Sequence, residues 1–74
     1  MKIKFSRHAK RRAKLYNLSL STIDNILKKE ELHPGKHEII QEVPGYKYPI
    51  KIVVSVENDT IVVITNYPLK RRRK

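Results

Sequence analysis

Cysteine is absent from the sequence, acidic residues are few, and no long apolar run occurs. The lack of cysteine excludes disulfide bonds, thiolate metal ligands and thiol nucleophiles, and it suits a reducing compartment. The longest mostly apolar stretch, around residues 61–64, is far shorter than the roughly 20 residues that a membrane-spanning helix needs. The N-terminus also lacks the apolar block of a signal peptide. We therefore expect a soluble cytoplasmic protein that is not associated with a membrane.

Positively charged residues outnumber negatively charged ones in the sequence. Lysine and arginine number 17 against 7 acidic residues, which gives a formal net charge of +10. Such an excess favours polyanionic partners before any motif is considered. The alternatives are an anionic membrane surface and a charge that only keeps the protein soluble. We expect RNA or the ribosome as the partner.

The chain length of 74 residues allows one domain. No repeat or linker interrupts it, and the one strongly biased segment is the basic tail. We therefore assign a single α+β domain to residues 1–69 and a tail to residues 70–74. A core of this size supplies about 3–5 kcal/mol on its own, so a homodimer or a tightly bound partner is expected to add stability.

Two amphipathic helices are predicted in the first half of the chain. Residues 2–5 alternate between polar and apolar and predict a short strand. Ser6 is a suitable N-cap for a helix from Arg7 to Tyr16, and Ser19 for a second helix from Leu20 to Glu30. The two apolar stripes consist of Ala9, Ala13 and Tyr16, and of Leu20, Ile23, Ile26 and Leu27.

The hydrophobic period changes to two after the second helix. Strands are predicted from His37 to Val43, from Ile50 to Val56 and from Thr60 to Tyr67, with turns at residues 44–45 and 58–59. The fold class is therefore α+β: a short N-terminal strand, a two-helix hairpin and a three-stranded antiparallel meander, with the helices packed on one face of the sheet.

The first helix carries candidate functional residues. His8 and Arg12, four residues apart, share one helical face, where an imidazole and a guanidinium would together handle a phosphate. Four further cations of this helix are expected to bind RNA: Arg7, Lys10, Arg11 and Lys14. The alternative is that His8 packs at the helix edge while the arginines form a solvated face.

The strands and the tail add further candidates. Lys51 interrupts an apolar strand and points either to solvent or into a groove, and Tyr67 would stack on a base, donate a phenolic proton or simply fill a strand position. We expect Tyr67 to meet His8 and Arg12 in one groove. The tail cations expected to bind RNA are Lys70, Arg71, Arg72 and Arg73, with a solvated charge run as the alternative.

No metal and no cofactor is expected. His33 and His37 flank a Pro-Gly turn, but they lack both a cysteine partner and helical spacing. The sequence contains no glycine-rich phosphate loop, no nucleophile elbow and no zinc motif.

Three short motifs span nearly the whole chain. They are His8-Ala9-x-x-Arg12, Leu18-Ser19 at the start of the second helix, and Thr65-x-Tyr67-Pro68 at the end of the last strand. Together they resemble a family of small prokaryotic proteins of unassigned function that looks like a branch of the RelE/ParE-type toxin superfamily. Members of that superfamily share a strand, a helical hairpin and an antiparallel sheet, which agrees with the layout predicted above.

The resemblance implies a metal-independent mRNA endoribonuclease, acting on the ribosome or on free RNA. Basic residues and a tyrosine would position the phosphate while the ribose 2′-hydroxyl attacks it, and an acidic antitoxin would be the partner. The matching positions are His8, Arg12 and Tyr67, whereas Lys51 is added on charge and placement. Family members often carry an arginine and a glycine where this chain has Tyr16 and Asn17.

Two other functions are compatible with the same fold. One is a noncatalytic RNA- or ribosome-binding module, and the other is a toxin directed at gyrase. The presence of an acidic partner would favour the nuclease.

Overall fold

The computed structural model describes residues 2–70, and they form two helices and four strands. The elements in chain order are β1 (Lys2–Phe5), α1 (Arg7–Leu15), α2 (Leu20–Lys28), β2 (Gly35–Gln41), β3 (Ile50–Glu57) and β4 (Thr60–Pro68). The predicted α+β class is confirmed. The helices end slightly before the predicted Tyr16 and Glu30, because Tyr16 and Lys29 are their C-caps. Within residues 2–70, no helix is long and apolar enough to cross a membrane.

Ser6 caps α1 and also ties it to the sheet. Its backbone is extended, and its Oγ accepts a hydrogen bond from the Ala9 amide at 3.0 Å. The same hydroxyl donates to the carbonyl oxygen of Ile64 at 2.9 Å, and the Ser6 amide donates to the carbonyl oxygen of Val63 at 3.0 Å. The start of α1 is therefore fixed to β4. Ser19 caps α2 more weakly, with 3.4 Å between its Oγ and the Thr22 amide nitrogen.

Asn17 ends α1 in the left-handed region, with φ of 59°. The Asn17 amide donates to the Lys14 carbonyl oxygen at 3.2 Å, and the Leu18 amide donates to the Ala13 carbonyl oxygen at 2.7 Å. This pair of bonds is a Schellman motif, in which glycine is the usual residue and asparagine the common substitute. Asn17 therefore satisfies the backbone requirement that glycine usually meets.

The sheet is four-stranded and mixed, in the order β1-β4-β3-β2. β3 lies antiparallel to both β2 and β4, whereas β1 joins the edge of β4 in parallel, with Ile3 beside Ile61 and Phe5 beside Val63. The predicted three-stranded antiparallel meander is therefore incomplete as a description of the sheet. The alternation in residues 2–5 predicts a strand but carries no information about which strand it will join.

One face of the sheet carries the core. Its buried residues on β3 are the four predicted from the alternation: Ile50, Ile52, Val54 and Val56. The helices cover this face with Ala9 and Ala13 from α1 and with Ile23 and Leu27 from α2. On β3, the alternate residues Lys51, Val53 and Ser55 lie on the opposite side and are only partly buried. We call that side the open face.

A β-bulge at Ile64 changes which residues of β4 point to each face. Val63 pairs with Val54 but Thr65 pairs with Val53, so Ile64 is the extra residue on β4. After it, the core position passes to Asn66, which is fully buried and donates through Nδ2 to the Ala9 carbonyl oxygen at 3.2 Å.

We expect Ser6→Ala to lower the free energy of unfolding by about 1.5–3 kcal/mol, because it removes a cap and the donor to Ile64 together. Ser19→Ala is the matched control and should cost about 0.5–1 kcal/mol, because only a long, exposed cap is lost. Urea denaturation measures both. Equal losses would show that the bond between Ser6 and Ile64 contributes nothing.

Candidate nucleic-acid interface

Lys51 and Tyr67, both predicted as site residues, lie side by side on the open face. They are register partners between β3 and β4. Partners directly opposite in an antiparallel ladder hold their Cβ atoms about 4.5–5.5 Å apart on the same face. Two residues 16 positions apart in sequence thus form a single cation–phenol pair.

Glu38 on β2 forms an ion pair with Lys51. The Lys51 Nζ lies 3.2 Å from Glu38 Oε1, and 21% of the Lys51 side chain is exposed. The pKa of Lys51 is raised above its ordinary value of 10.5, first by the hydrogen bond from its ammonium to Glu38, then by the Glu38 charge, and further by Tyr67. A lysine with an ordinary pKa is already a cation at neutral pH. The upward shift moves Lys51 further from a general base, whose pKa should lie near the working pH, and its positive charge is shared with Glu38.

A row of residues crosses all four strands of the open face. In register order it runs Lys4, Val62, Ser55 and Lys36, with a lysine at each edge of the sheet. Lys2 extends the same face at the β1 edge, beside Thr60. Sequence reasoning missed all three lysines. The alternation of Lys2 and Lys4 with Ile3 and Phe5 was the signal that they share a face.

His8 and Arg12 both lie on α1. His8 is exposed and Arg12 is partly buried. α1 packs on the face to which Asn66 points, whereas Tyr67, its neighbour in the strand, points to the opposite face. In the part of the chain that the structure describes, no hydrogen bond or ion pair joins His8 or Arg12 to Lys51 or Tyr67. The four predicted residues thus lie on opposite sides of the sheet, two on each side. This arrangement does not support a common groove.

The other predicted RNA-binding residues lie at the surface where they are described. The exposed cations of α1 are Arg7, Lys10, Arg11 and Lys14. Lys70 is also exposed, with its Nζ 6.0 Å from the centre of the Tyr48 ring. Arg71, Arg72 and Arg73 lie outside the described residues. Tyr48 was not predicted, although the alternation of Tyr46, Lys47 and Tyr48 was a signal for an aromatic and basic loop.

Side chains able to bind a metal do not cluster among residues 2–70. No group of three histidine, cysteine, aspartate or glutamate residues comes together there. His37 Nε2 lies 2.6 Å from the backbone carbonyl oxygen of His33, so this ring contacts backbone and not a second imidazole.

Fold and surface define a small, strongly basic α+β domain with one sheet face left open by its helices. A family model described as Domain of unknown function (DUF4258) matches residues 5–68, and the chain belongs to this family. No curated protein and no solved structure matches the chain. The relationship to RelE/ParE-type toxins stays a prediction.

We expect Glu38→Gln to lower the pKa of Lys51, because Glu38 contributes the largest effects that raise it. Tyr67→Phe should lower the pKa less. An NMR titration of the lysine Cε resonances measures both, and Glu57→Gln, at the other end of β3, is the control. A raised lysine pKa stabilises the folded protein below the unfolded pKa of about 10.4, and this stabilisation is lost as the pH rises through the folded value. An unchanged Lys51 titration in Glu38→Gln would contradict the assignment.

Proposed function

We propose that the protein binds the backbone of RNA with the open face of its sheet. The observation that carries the proposal is the set of edge lysines on this face, which form no ion pair among residues 2–70 at a place where no helix within those residues covers the sheet. A protonated lysine attracts a phosphate oxygen, and the phenol of Tyr67, beside Lys51 in the middle of the face, donates a hydrogen bond to the same group. The lysines at both edges of the face, Lys4 and Lys36, continue the positive surface across the sheet.

The charge distribution supports this choice of surface. The formal net charge is +10, and the phosphate backbone dominates affinity for nucleic acids because bound cations release counterions. The exposed cations of α1 make a second positive surface. A single RNA chain that reached both would explain why the excess charge is not confined to the tail.

We expect the double variant Lys4→Gln with Lys36→Gln to flatten the salt dependence of RNA binding. Each lost phosphate contact reduces the log–log slope by about 0.7 for a single strand, so the double variant should lose roughly 1.4. Filter binding of a labelled RNA at several KCl concentrations measures the slope.

The matched control for this experiment is Lys28→Gln with Lys29→Gln. It removes the same charge from the end of α2, where Lys28 already pairs with Asp24 at 3.1 Å. The slope of this control should stay close to that of the wild type. Equal slopes for the two double variants would mean that only total charge matters, and the open face would then lose its role.

A second candidate function, a toxin-like endoribonuclease, is favoured by the chemistry of the same pair. In that reaction the ribose 2′-oxygen attacks phosphorus, its proton passes to a base, and the 5′-oxygen leaves with a proton. Lys51 would balance the phosphorane charge, and Tyr67 would supply the hydrogen bond or proton at the leaving oxygen. His8 and Arg12 lie on the other side of the sheet, so the 2′-hydroxyl proton would pass to solvent water at this pair. An acidic antitoxin protein would then bind the positive surfaces, and a homodimer is a further proposed assembly.

We expect an active nuclease to cleave labelled mRNA in the presence of EDTA and to leave 2′,3′-cyclic ends, with or without ribosomes. General acid–base groups contribute about 10²–10⁴-fold, so Tyr67→Phe should slow cleavage by orders of magnitude. A loss of that size in His8→Ala instead would place the reaction at α1. Tyr16→Phe is the control, because Tyr16 packs against the core. RNA left intact both with and without ribosomes rejects the nuclease and leaves the noncatalytic module.

A further inference from the structure

The loop between β2 and β3 places a tyrosine next to the end of β4. The Leu69 amide donates to the Pro49 carbonyl oxygen at 2.7 Å, so the pairing of β3 with β4 continues beyond the ends of both strands. This bond sets Tyr48, just before Pro49, beside Lys70, just after Leu69. The juxtaposition depends on two segments that are distant in sequence, and Lys70 is the residue from which the basic tail continues.

Two lysines approach the ring of Tyr48. The Nζ of Lys47 lies 5.8 Å from the ring centre, and that of Lys70 lies 6.0 Å from it. Both distances are within the range of cation–π attraction. Neither lysine forms an ion pair with an acidic side chain among the described residues. Glu42 also lines the cleft at this ring, but among the described residues it forms an ion pair with neither lysine. Two like charges are therefore held around one aromatic ring without a paired carboxylate, an arrangement that an anion would stabilise.

The loop also forms a cleft at this ring. Its volume is about 380 Å³, and Tyr48 lies in its wall with Tyr46 and Pro49. This volume is within the range of sites that hold small ligands. Tyr46 is fixed there because its hydroxyl donates to the Asn17 carbonyl oxygen at 3.3 Å, which anchors the loop to the end of α1. The aromatic ring, the cleft and the two cations are thus part of one anchored structure.

We propose that Tyr48 is a stacking platform for an unpaired RNA base, and that Lys47 and Lys70 hold the phosphates on either side of that base. This inference rests on the proposed RNA-binding function and narrows its ligand to single-stranded RNA. A base can lie on an aromatic ring only when it is free of a duplex, and such stacking together with cations is the usual way in which proteins bind single strands.

Tyr48 lies near the end of the sheet that carries Lys51 and Tyr67. Tyr48 precedes Lys51 by three residues, as Tyr67 precedes Lys70, and this corresponds to about 10 Å along a strand. The stacking platform thus lies at the same end of the β3–β4 ladder as the Lys51 and Tyr67 pair. Three residues is an odd offset and does not place Tyr48 on the face that carries Lys51, so one RNA chain would pass around the end of the sheet to contact both.

The experiment compares two probes of equal length and charge, a fluorescein-labelled 12-nucleotide oligo(A) and a ribose-phosphate backbone without bases. The wild type should bind oligo(A) more tightly. Tyr48→Ala should weaken oligo(A) binding roughly 5- to 100-fold and leave binding of the backbone probe unchanged. Tyr48→Phe keeps the ring and should bind both probes within about twofold of the wild type. The salt slope should stay unchanged in Tyr48→Ala, because no cation is removed.

A second measurement does not depend on the alanine variant being folded. The sequence contains no tryptophan, so Tyr48→Trp gives a single tryptophan at the proposed site, which can be excited selectively over the three remaining tyrosines. Oligo(A) should quench its emission, and the backbone probe should not.

The outcomes separate the two proposals. Binding of both probes with equal affinity by the wild type and by Tyr48→Ala, without quenching in Tyr48→Trp, overturns the stacking site and leaves RNA-backbone binding intact. Failure of the wild type to bind either probe overturns the proposed function and the stacking site together.

Discussion

The hydroxyl of Ser6 makes the contact on which the arrangement of the sheet and the first helix depends. It accepts from the Ala9 amide and donates to the Ile64 carbonyl oxygen, so one side chain both begins α1 and binds the bulge in β4. The Ser6 amide adds a bond to the neighbouring Val63. Because a bulge leaves one residue outside the regular ladder, its backbone needs partners from elsewhere, and Ser6 supplies one to each of two adjacent carbonyl groups.

The bulge in turn decides which residues of β4 reach the open face. A shift of one residue moves every later side chain to the other face of a strand. Without the extra residue at Ile64, Tyr67 would point toward the helices and Asn66 toward the open face. The observed arrangement instead buries Asn66, whose Oδ1 has no hydrogen-bond partner among the described residues. The pairing of Lys51 with Tyr67 is thus obtained at the cost of a buried amide that is only half satisfied.

Features set by neighbouring residues could be predicted from the sequence, and features set by long-range register could not. The caps at Ser6 and Ser19 and the buried alternation from Ile50 to Val56 follow from local patterns, and the structure confirms them. The parallel partner of β1 and the bulge at Ile64 depend on where distant segments meet. For the same reason Lys51 and Tyr67 were each identified as candidates, but their contact was not predicted, and the approach of Lys70 to Tyr48 was missed.

The acidic residues neutralise only some of the positive charges in the fold. Within residues 2–70 the side-chain ion pairs are those of Lys28 with Asp24 and of Lys51 with Glu38. Lys51 lies on an inner strand and has its charge balanced, whereas the cations at the sheet edges are left to solvent. A net charge of +10 makes the compact state repel itself, and a small core opposes this with only about 3–5 kcal/mol. A bound polyanion would relieve the repulsion and stabilise the fold by mass action, so affinity for a polyanion and stability of the domain depend on the same uncompensated lysines and arginines.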